Sequence, residues 1–136
     1  MNPRKIKDAF VKFIKSGFIS HKELLKKLDE FFEGRASLSD DDFYIQYFER
    51  QGVQKEIPIR VRKIFEEMFE ADFSRITSTD DFSEEMKFIW GFDSMIDVEI
   101  VMAVEEEFNI KIGNEEAKKM KSIQDIVSCV WNKTKK

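Results

Sequence analysis

The chain has too few cysteines and histidines for the sites that depend on them. Its 136 residues include one cysteine, Cys129, and one histidine, His21. A disulfide framework needs paired cysteines, a zinc site needs several Cys or His ligands, and a Ser-His-Asp triad needs a histidine beside its serine. The sequence therefore predicts neither an internal disulfide nor a metal site, and it offers little support for a hydrolase.

Residues that interrupt helices are also scarce. There are 5 glycines and 2 prolines, against 14 phenylalanines, 2 tyrosines and 2 tryptophans. No stretch reaches the roughly 18 apolar residues of a membrane span, and the N-terminus lacks the apolar core of a secretion signal. We therefore expect a helical, cytoplasmic chain without stable membrane insertion, long enough for one domain and an added subdomain.

Negative charge is concentrated in one stretch. The net charge is −4, but residues 91–116 contain eight acidic residues and one basic residue. A field of this sign repels nucleic acid and speeds encounters with basic protein surfaces. An acidic run can also be a plain solvated helix face. The sequence thus predicts no nucleic-acid partner. The acidic stretch has two interpretations: a surface that binds a basic protein, or a plain solvated helix face.

The N-terminal part predicts three amphipathic helices. Residues 4–18 have apolar side chains at helical spacing among lysines. A second helix is indicated by Ser20 as its N-cap, with Gly34 as its stop, and a third follows Ser39 and ends before Gly52. The apolar side chains of these helices that we expect to be buried are Phe10, Phe13, Phe18, Leu24, Leu28, Phe31, Phe32, Phe43, Tyr47 and Phe48.

Residues 57 onward predict a second set of helices. A helix opens near Pro58, a loop covers residues 72–81, and a helix runs from about Ser94 to Phe108. A short helix over 115–120 and a final helix capped by Ser122 complete the set. The apolar stripe of the first of these helices contains Ile57, Val61, Ile64, Phe65 and Met68.

Ser94 is the candidate functional residue on physical grounds. It follows the Gly91 turn and begins an acidic amphipathic helix. A helix start has unpaired N–H groups and the positive end of the helix dipole, so a phosphate there is stabilised. The structural interpretation is that Ser94 and Asp97 form an S-x-x-D cap with no further role.

The serine helix carries more apolar surface than one core contact needs. Val101, Val104 and Phe108 form one stripe, while Met95, Val98 and Met102 form a second. An apolar strip with an acidic rim is typical of a transient protein interface, and methionine suits several partners. The strip can also be covered by the N-terminal helices, so both interpretations stay open.

Residues 57–132 resemble the acyl carrier protein family. The resemblance is carried by Asp93-Ser94-Met95, Val98-Glu99, the run from Met102 to Phe108, and Ser122-Ile123. It implies an all-α fold in which residues 57–136 form a four-helix bundle of three longer helices and one short, preceded by about three extra helices over 1–56. Residues 1–56 have no counterpart in the ordinary family.

The resemblance also implies the site. 4'-Phosphopantetheine would be attached covalently to Ser94, preceded by Asp93, by a phosphopantetheinyl transferase. Acyl-transferring or acyl-modifying enzymes with basic patches would dock on Met95, Asp97, Val98, Glu99, Met102, Glu105 and Glu106. An interior acyl-chain cavity would be lined by Ile64, Phe65, Met68, Val104, Phe108, Ile112 and Met120.

We therefore predict a monomeric carrier, and not an enzyme, that serves fatty-acid or specialised lipid and secondary-metabolite biosynthesis. The alternative is an unmodified carrier-like module that regulates a basic partner through its acidic helix. A hydrolase using Ser94 ranks third, because His21 shows no sign of pairing with it. The extension, residues 1–56, is expected to pack either on the helix that opens near Pro58 or over Met95, Val98 and Met102.

Overall fold

Short-range signals in the sequence account for where the helices begin and end. The computed structural model describes residues 20–86, 88 and 93–135, without the side chains of residues 93–97. In this part of the chain there are helices and no strands: α1 (His21–Phe31), α2 (Asp40–Tyr47), a 3-10 turn (Glu49–Gln51), α3 (Glu56–Phe69), α4 (Asp93–Phe108), α5 (Asn114–Lys118) and α6 (Ile123–Thr134). The helix predicted over residues 4–18 lies outside the described residues.

Three predicted N-caps are confirmed. The hydroxyls of Ser20, Ser39 and Ser122 accept hydrogen bonds from backbone N–H groups three residues later, at 3.1–3.2 Å. Each bond satisfies a donor that a helix start otherwise leaves unpaired. The turns after α1 and after the 3-10 segment use Gly34 (φ +81°) and Gly52 (φ +71°), where a side chain would be strained.

The boundaries of α3 and α5 differ slightly from the prediction. α3 begins at Glu56, two residues before Pro58, so the proline lies inside the first turn, where its missing N–H costs no hydrogen bond. α5 covers Asn114–Lys118 instead of 115–120. The Glu116 carboxylate accepts from the Gly113 N–H at 3.0 Å, which starts the helix earlier.

Helices α3 to α6 form the predicted bundle of three longer helices and one short one. α3 packs against α6 and α4. Arg60 on α3 pairs with the Glu107 carboxylate and donates to the Glu107 carbonyl oxygen at 2.8 Å, so the start of α3 lies beside the end of α4. The predicted stripe of α3 is buried at all five positions.

Residues 20–56 share the core of this bundle. Leu24, Leu28, Phe32, Phe43 and Phe48 are buried in the same apolar cluster as the residues of α3, α4 and α6. α2 packs directly on α3. Of the two predicted docking sites for the extension, its described part therefore occupies the α3 side, and Val98 on α4 stays 53% exposed.

Three arginine–aspartate ion pairs line the seam between residues 20–56 and the bundle. They join Arg35 to Asp80 at 2.7 Å, Arg75 to Asp29 at 2.8 Å and Arg62 to Asp40 at 3.0 Å. Each guanidinium also lies over a phenylalanine ring of the extension, 4.5–5.6 Å from its centroid. Arginine suits this seam because its flat cation pairs with a carboxylate and stacks on an aromatic ring.

Candidate functional site

Ser94 lies in the first turn of the longest described helix. α4 begins at Asp93, one residue earlier than predicted, so Ser94 is the second helical residue and not the residue before the helix. The first N–H groups of this turn have no partner within the helix and carry the positive end of its dipole. The side chains of Asp93, Ser94, Met95 and Asp97 lie outside the described residues, and a cap of the predicted S-x-x-D type would need Ser94 one residue before the helix.

Three of the predicted partner-binding residues on the rest of α4, Val98, Met102 and Glu105, line a groove, and Glu99 and Glu106 do not. Val98 is exposed, while Glu99, Met102, Glu105 and Glu106 are half-buried. The groove has a volume of about 630 Å³ and runs between α4 and α5, with Ile112 lining it from the segment before α5. It is lined by Val98, Val101, Met102, Glu105, Ile112, Asn114, Glu115, Ala117 and Lys118.

Two of the acidic residues on α4, Glu99 and Glu105, are only partly exposed. Glu99 is half-buried, and burial raises its pKa above the usual value, because a buried carboxylate loses hydration. The Glu105 carboxylate accepts a hydrogen bond from the Ile112 N–H at 2.8 Å. Glu105 therefore also holds the loop after α4 in place, a structural role that the sequence reasoning missed.

A small, partly open cavity of about 30 Å³ lies between α4, α5 and α6. Its lining residues are Phe82, Ile100, Val101, Val104, Ala117, Met120 and Ile126. Val101 and Ala117 line both this cavity and the surface groove, so the two spaces are adjacent. A cavity of about 150 Å³ admits benzene, so this one has room for a group not much larger than water.

Two of the predicted cavity residues, Val104 and Met120, line this cavity. Phe65 and Met68 are buried in the core instead, and Phe65 lies against the rings of Phe69, Phe73 and Phe82. The Arg60 guanidinium lies over the Phe108 ring, 4.7 Å from the ring centroid. Ile64 and Ile112 are buried, and the acyl-chain role of all the predicted residues stays a prediction.

Phe82, just after the predicted loop over residues 72–81, is one of the lining residues that were not predicted from the sequence; the others are Ile100, Val101, Ala117 and Ile126. Phe82 follows Asp80 and Asp81 and precedes Ser83 and Glu84, so it is the single apolar residue of a polar stretch. An isolated aromatic residue in such a loop is a signal of a buried anchor. Its ring is 4% exposed.

The described residues contain no helix long and apolar enough to cross a membrane. The same part of the chain contains no group of three or more His, Cys, Asp or Glu side chains arranged to hold a metal ion. The single histidine is used elsewhere: Nε2 of His21 donates to the carbonyl oxygens of Phe69 and Glu70, each at 3.0 Å, at the end of α3.

An acidic helix with a serine in its first turn, in a bundle of three longer helices and one short one, is typical of a carrier-type fold. The acyl carrier protein of Thermosynechococcus vestitus is 35% identical to this chain over 80 residues, which are 59% of this chain and 94% of that protein. The acyl carrier protein of Cylindrotheca sp. is 37% identical over 76 residues, which are 56% of this chain and 90% of that protein. The chain belongs to the acyl carrier protein family.

No family model matches the chain. No solved structure matches it significantly either. The two relatives align with little more than half of this chain while being covered almost completely themselves. The rest of the chain is therefore additional to the relatives.

Proposed function

We propose that the chain carries acyl or related groups on a 4'-phosphopantetheine arm attached to Ser94. The observation that carries the proposal is the position of Ser94 in the first turn of α4, in a chain of the acyl carrier protein family. When bound, the arm supplies a terminal thiol that holds the acyl group as a thioester. The pathway we propose is fatty-acid or specialised lipid and secondary-metabolite biosynthesis.

The residues at the start of α4 fit such a group. A phosphodiester on Ser94 would meet unpaired N–H groups and the positive end of the helix dipole. The acidic groove beside it contains Val98, Met102 and Glu105, so a partner with a basic rim and an apolar centre fits it. We propose that a phosphopantetheinyl transferase and acyl-handling enzymes dock there, with Asp93, Met95 and Asp97 contributing from the first turn.

We further propose that the chain is not itself an enzyme. A serine hydrolase needs a base that removes the serine proton. The hydrogen bonds of His21 to the end of α3 occupy its Nε2 atom, so this ring nitrogen is not free to serve as a base. The carrier would orient its cargo and would be recognised by its partner enzymes, and those enzymes would perform the chemistry.

Mass spectrometry of the intact chain tests the attachment. Incubation with coenzyme A and a phosphopantetheinyl transferase should add one arm to the wild-type chain and none to Ser94→Ala. Ser128→Ala is the matched control, because Ser128 lies on α6 and its hydroxyl only accepts from Gln124 at 3.1 Å; this variant should be modified fully. A wild-type chain that several transferases leave unmodified would support the alternative, an unmodified module.

A further inference from the structure

We propose that the N-terminal extension positions Ser94 for modification, through a contact between Phe31 at the end of α1 and Phe88 in the segment before α4. The inference rests on the proposed function and deepens it, because it concerns how Ser94 is presented to a transferase. Phe31 and Phe88 are positioning residues, which act through the start of α4 and do not touch the arm. The extension thus has a role at the site as well as in the core.

The first observation is a ring contact between the extension and the segment before α4. The Phe88 ring lies 5.9 Å from the Phe31 ring, centroid to centroid, and both side chains are half-buried. Aromatic pairs at this separation attract each other. Phe88 is followed five positions later by Asp93, where α4 begins, and five residues span at most roughly 18 Å. The extension therefore contacts the chain close to Ser94.

Arg35 holds the Phe31 ring from a second side. The chain turns at Gly34 (φ +81°), and the Arg35 guanidinium lies over the Phe31 ring, 4.9 Å from its centroid. The same guanidinium pairs with the Asp80 carboxylate at 2.7 Å. Asp80 is 5% exposed, so separating the pair would leave a buried charge without its counter-ion. Arg35 is therefore fixed, and the Phe31 ring beneath it has a fixed support.

The extension anchors residues 80–88 at both ends. Arg35 binds the first residue of this segment, and Phe31 packs on the last one. Between these two contacts, the Phe82 N–H donates to the Lys121 carbonyl oxygen at 2.7 Å, which ties the segment to the bundle. The segment cannot shift without breaking one of these contacts, and its last residue is the one that leads toward α4.

The position of this segment matters because helix ends fray. In an α-helix each N–H donates to the carbonyl four residues earlier, so the N–H groups of residues 97–99 close the first turn of α4. A segment free to move would let this turn open and would carry the backbone at Ser94 away from the docking residues. With Phe88 held by Phe31, the turn stays closed and Ser94 keeps its place in the helix.

The first test measures the start of α4 directly, in the full chain before modification. It uses Phe31→Leu, Phe88→Leu and the double variant, and follows amide hydrogen exchange residue by residue by NMR. Exchange at residues 97–99 should be about twofold to tenfold faster in each single variant, the range expected for loss of one aromatic pair. The double variant should exchange no faster than the single ones, because the two rings form one contact.

Modification kinetics give the second measurement. With coenzyme A and a phosphopantetheinyl transferase, both single variants should lower kcat and leave KM for the carrier nearly unchanged, because the groove residues Val98, Met102 and Glu105 are not altered. Phe48→Leu is the matched control: Phe48 is fully buried in the extension, and its ring packs against Phe43. It should lower the melting temperature and leave both the exchange at residues 97–99 and kcat unchanged.

Exchange at residues 97–99 that is the same in Phe31→Leu as in wild type would overturn the inference and leave the proposed function intact. So would an equal rise in Phe48→Leu, since loosening of the whole core would then explain both, or additive effects in the double variant. Phe31→Met serves as the test variant if Phe31→Leu is unfolded. A wild-type chain that several transferases leave unmodified would instead contradict the proposed function, and the inference would fall with it whatever the exchange rates.

Discussion

At the scale of the residue, Glu105 combines two roles that the sequence does not distinguish. Its charge contributes to the acidic rim of the groove, and its carboxylate accepts the hydrogen bond from the Ile112 N–H. A single charge reversal would disturb both roles at once. Glutamine at this position removes the charge and keeps a hydrogen-bond acceptor, whereas leucine removes both, so comparing the two variants separates the roles.

Glu105→Gln and Glu105→Leu should differ in stability. Glutamine keeps an oxygen that can accept from Ile112, so the free energy of unfolding should fall by less than about 1 kcal/mol. Leucine leaves the Ile112 N–H without its partner and should cost about 1 to 3 kcal/mol. Urea unfolding measures both, and equal stability of the two variants would show that this hydrogen bond contributes nothing.

The same variants should share one kinetic defect. Both remove a negative charge from the groove, so both should slow modification of Ser94 at low salt, and the difference from wild type should shrink as salt screens the attraction. Glu99→Gln is the control, because it removes a neighbouring charge without touching the Ile112 hydrogen bond. A defect in the rate that is independent of salt would point to direct contact or to misfolding.

At the scale of the element, polar side chains of residues 81–84 hold one turn of the segment between α3 and α4. The hydrogen bond from the Ser83 hydroxyl, joined by those from backbone N–H groups, lowers the pKa of Asp81. The ionised carboxylate is thus favoured by the folded loop. The contribution of Asp81 to stability should be largest at pH values where its carboxyl group is ionised in both the folded and the unfolded chain.

Asp81→Asn should therefore lower stability at neutral pH and have less effect in acid. The contribution of a carboxyl group with a depressed pKa is fully present above its unfolded value of about 3.9 and is lost as the pH falls through the folded value. The difference in the free energy of unfolding between wild type and variant should shrink across that window. Urea unfolding at a series of pH values measures it.

Glu30→Gln on the exposed side of α1 provides the control for this titration. It removes a carboxyl group of the extension that lies outside the loop. Its difference from wild type should be small at every pH. If the deficit of Asp81→Asn is as large in acid as at neutral pH, loss of the charge does not explain it.

At the scale of the whole molecule, the described extension is part of one core with the carrier bundle. α1 and α2 bury large side chains against α3 and the following loop, and the arginine–aspartate pairs close the seam. The groove beside α4 is lined by none of residues 20–56. We therefore expect this part of the extension to support the bundle without blocking the partner site.

Leu28→Ala and Leu25→Ala are a matched pair for this expectation. Both make the same change on α1, but Leu28 is 3% exposed and Leu25 is 39% exposed. Leu28→Ala should cost about 2 to 5 kcal/mol, and Leu25→Ala much less. Modification of Ser94 in the folded fraction should be as fast as in wild type, and faster modification in Leu28→Ala would mean that the extension covers the site.

Much of the fold follows from short-range patterns in the sequence. The caps at Ser20, Ser39 and Ser122 and the stripe of α3 involve residues three or four positions apart, so they could be predicted without knowing the neighbours of each helix. The Asp-Ser-Met motif and the acidic helix after it likewise carried the family resemblance. The predicted domain division at residues 56 and 57 stays a prediction.

The tertiary structure decided what depends on residues far apart in the chain. The Arg35–Asp80 pair spans 45 positions, and Phe82 lines the cavity only because its loop meets α4, α5 and α6. Glu105 became a loop anchor only because the chain turns back after α4. Local patterns predict which face of a helix is apolar, whereas the side chain that meets this face is selected by packing the whole chain.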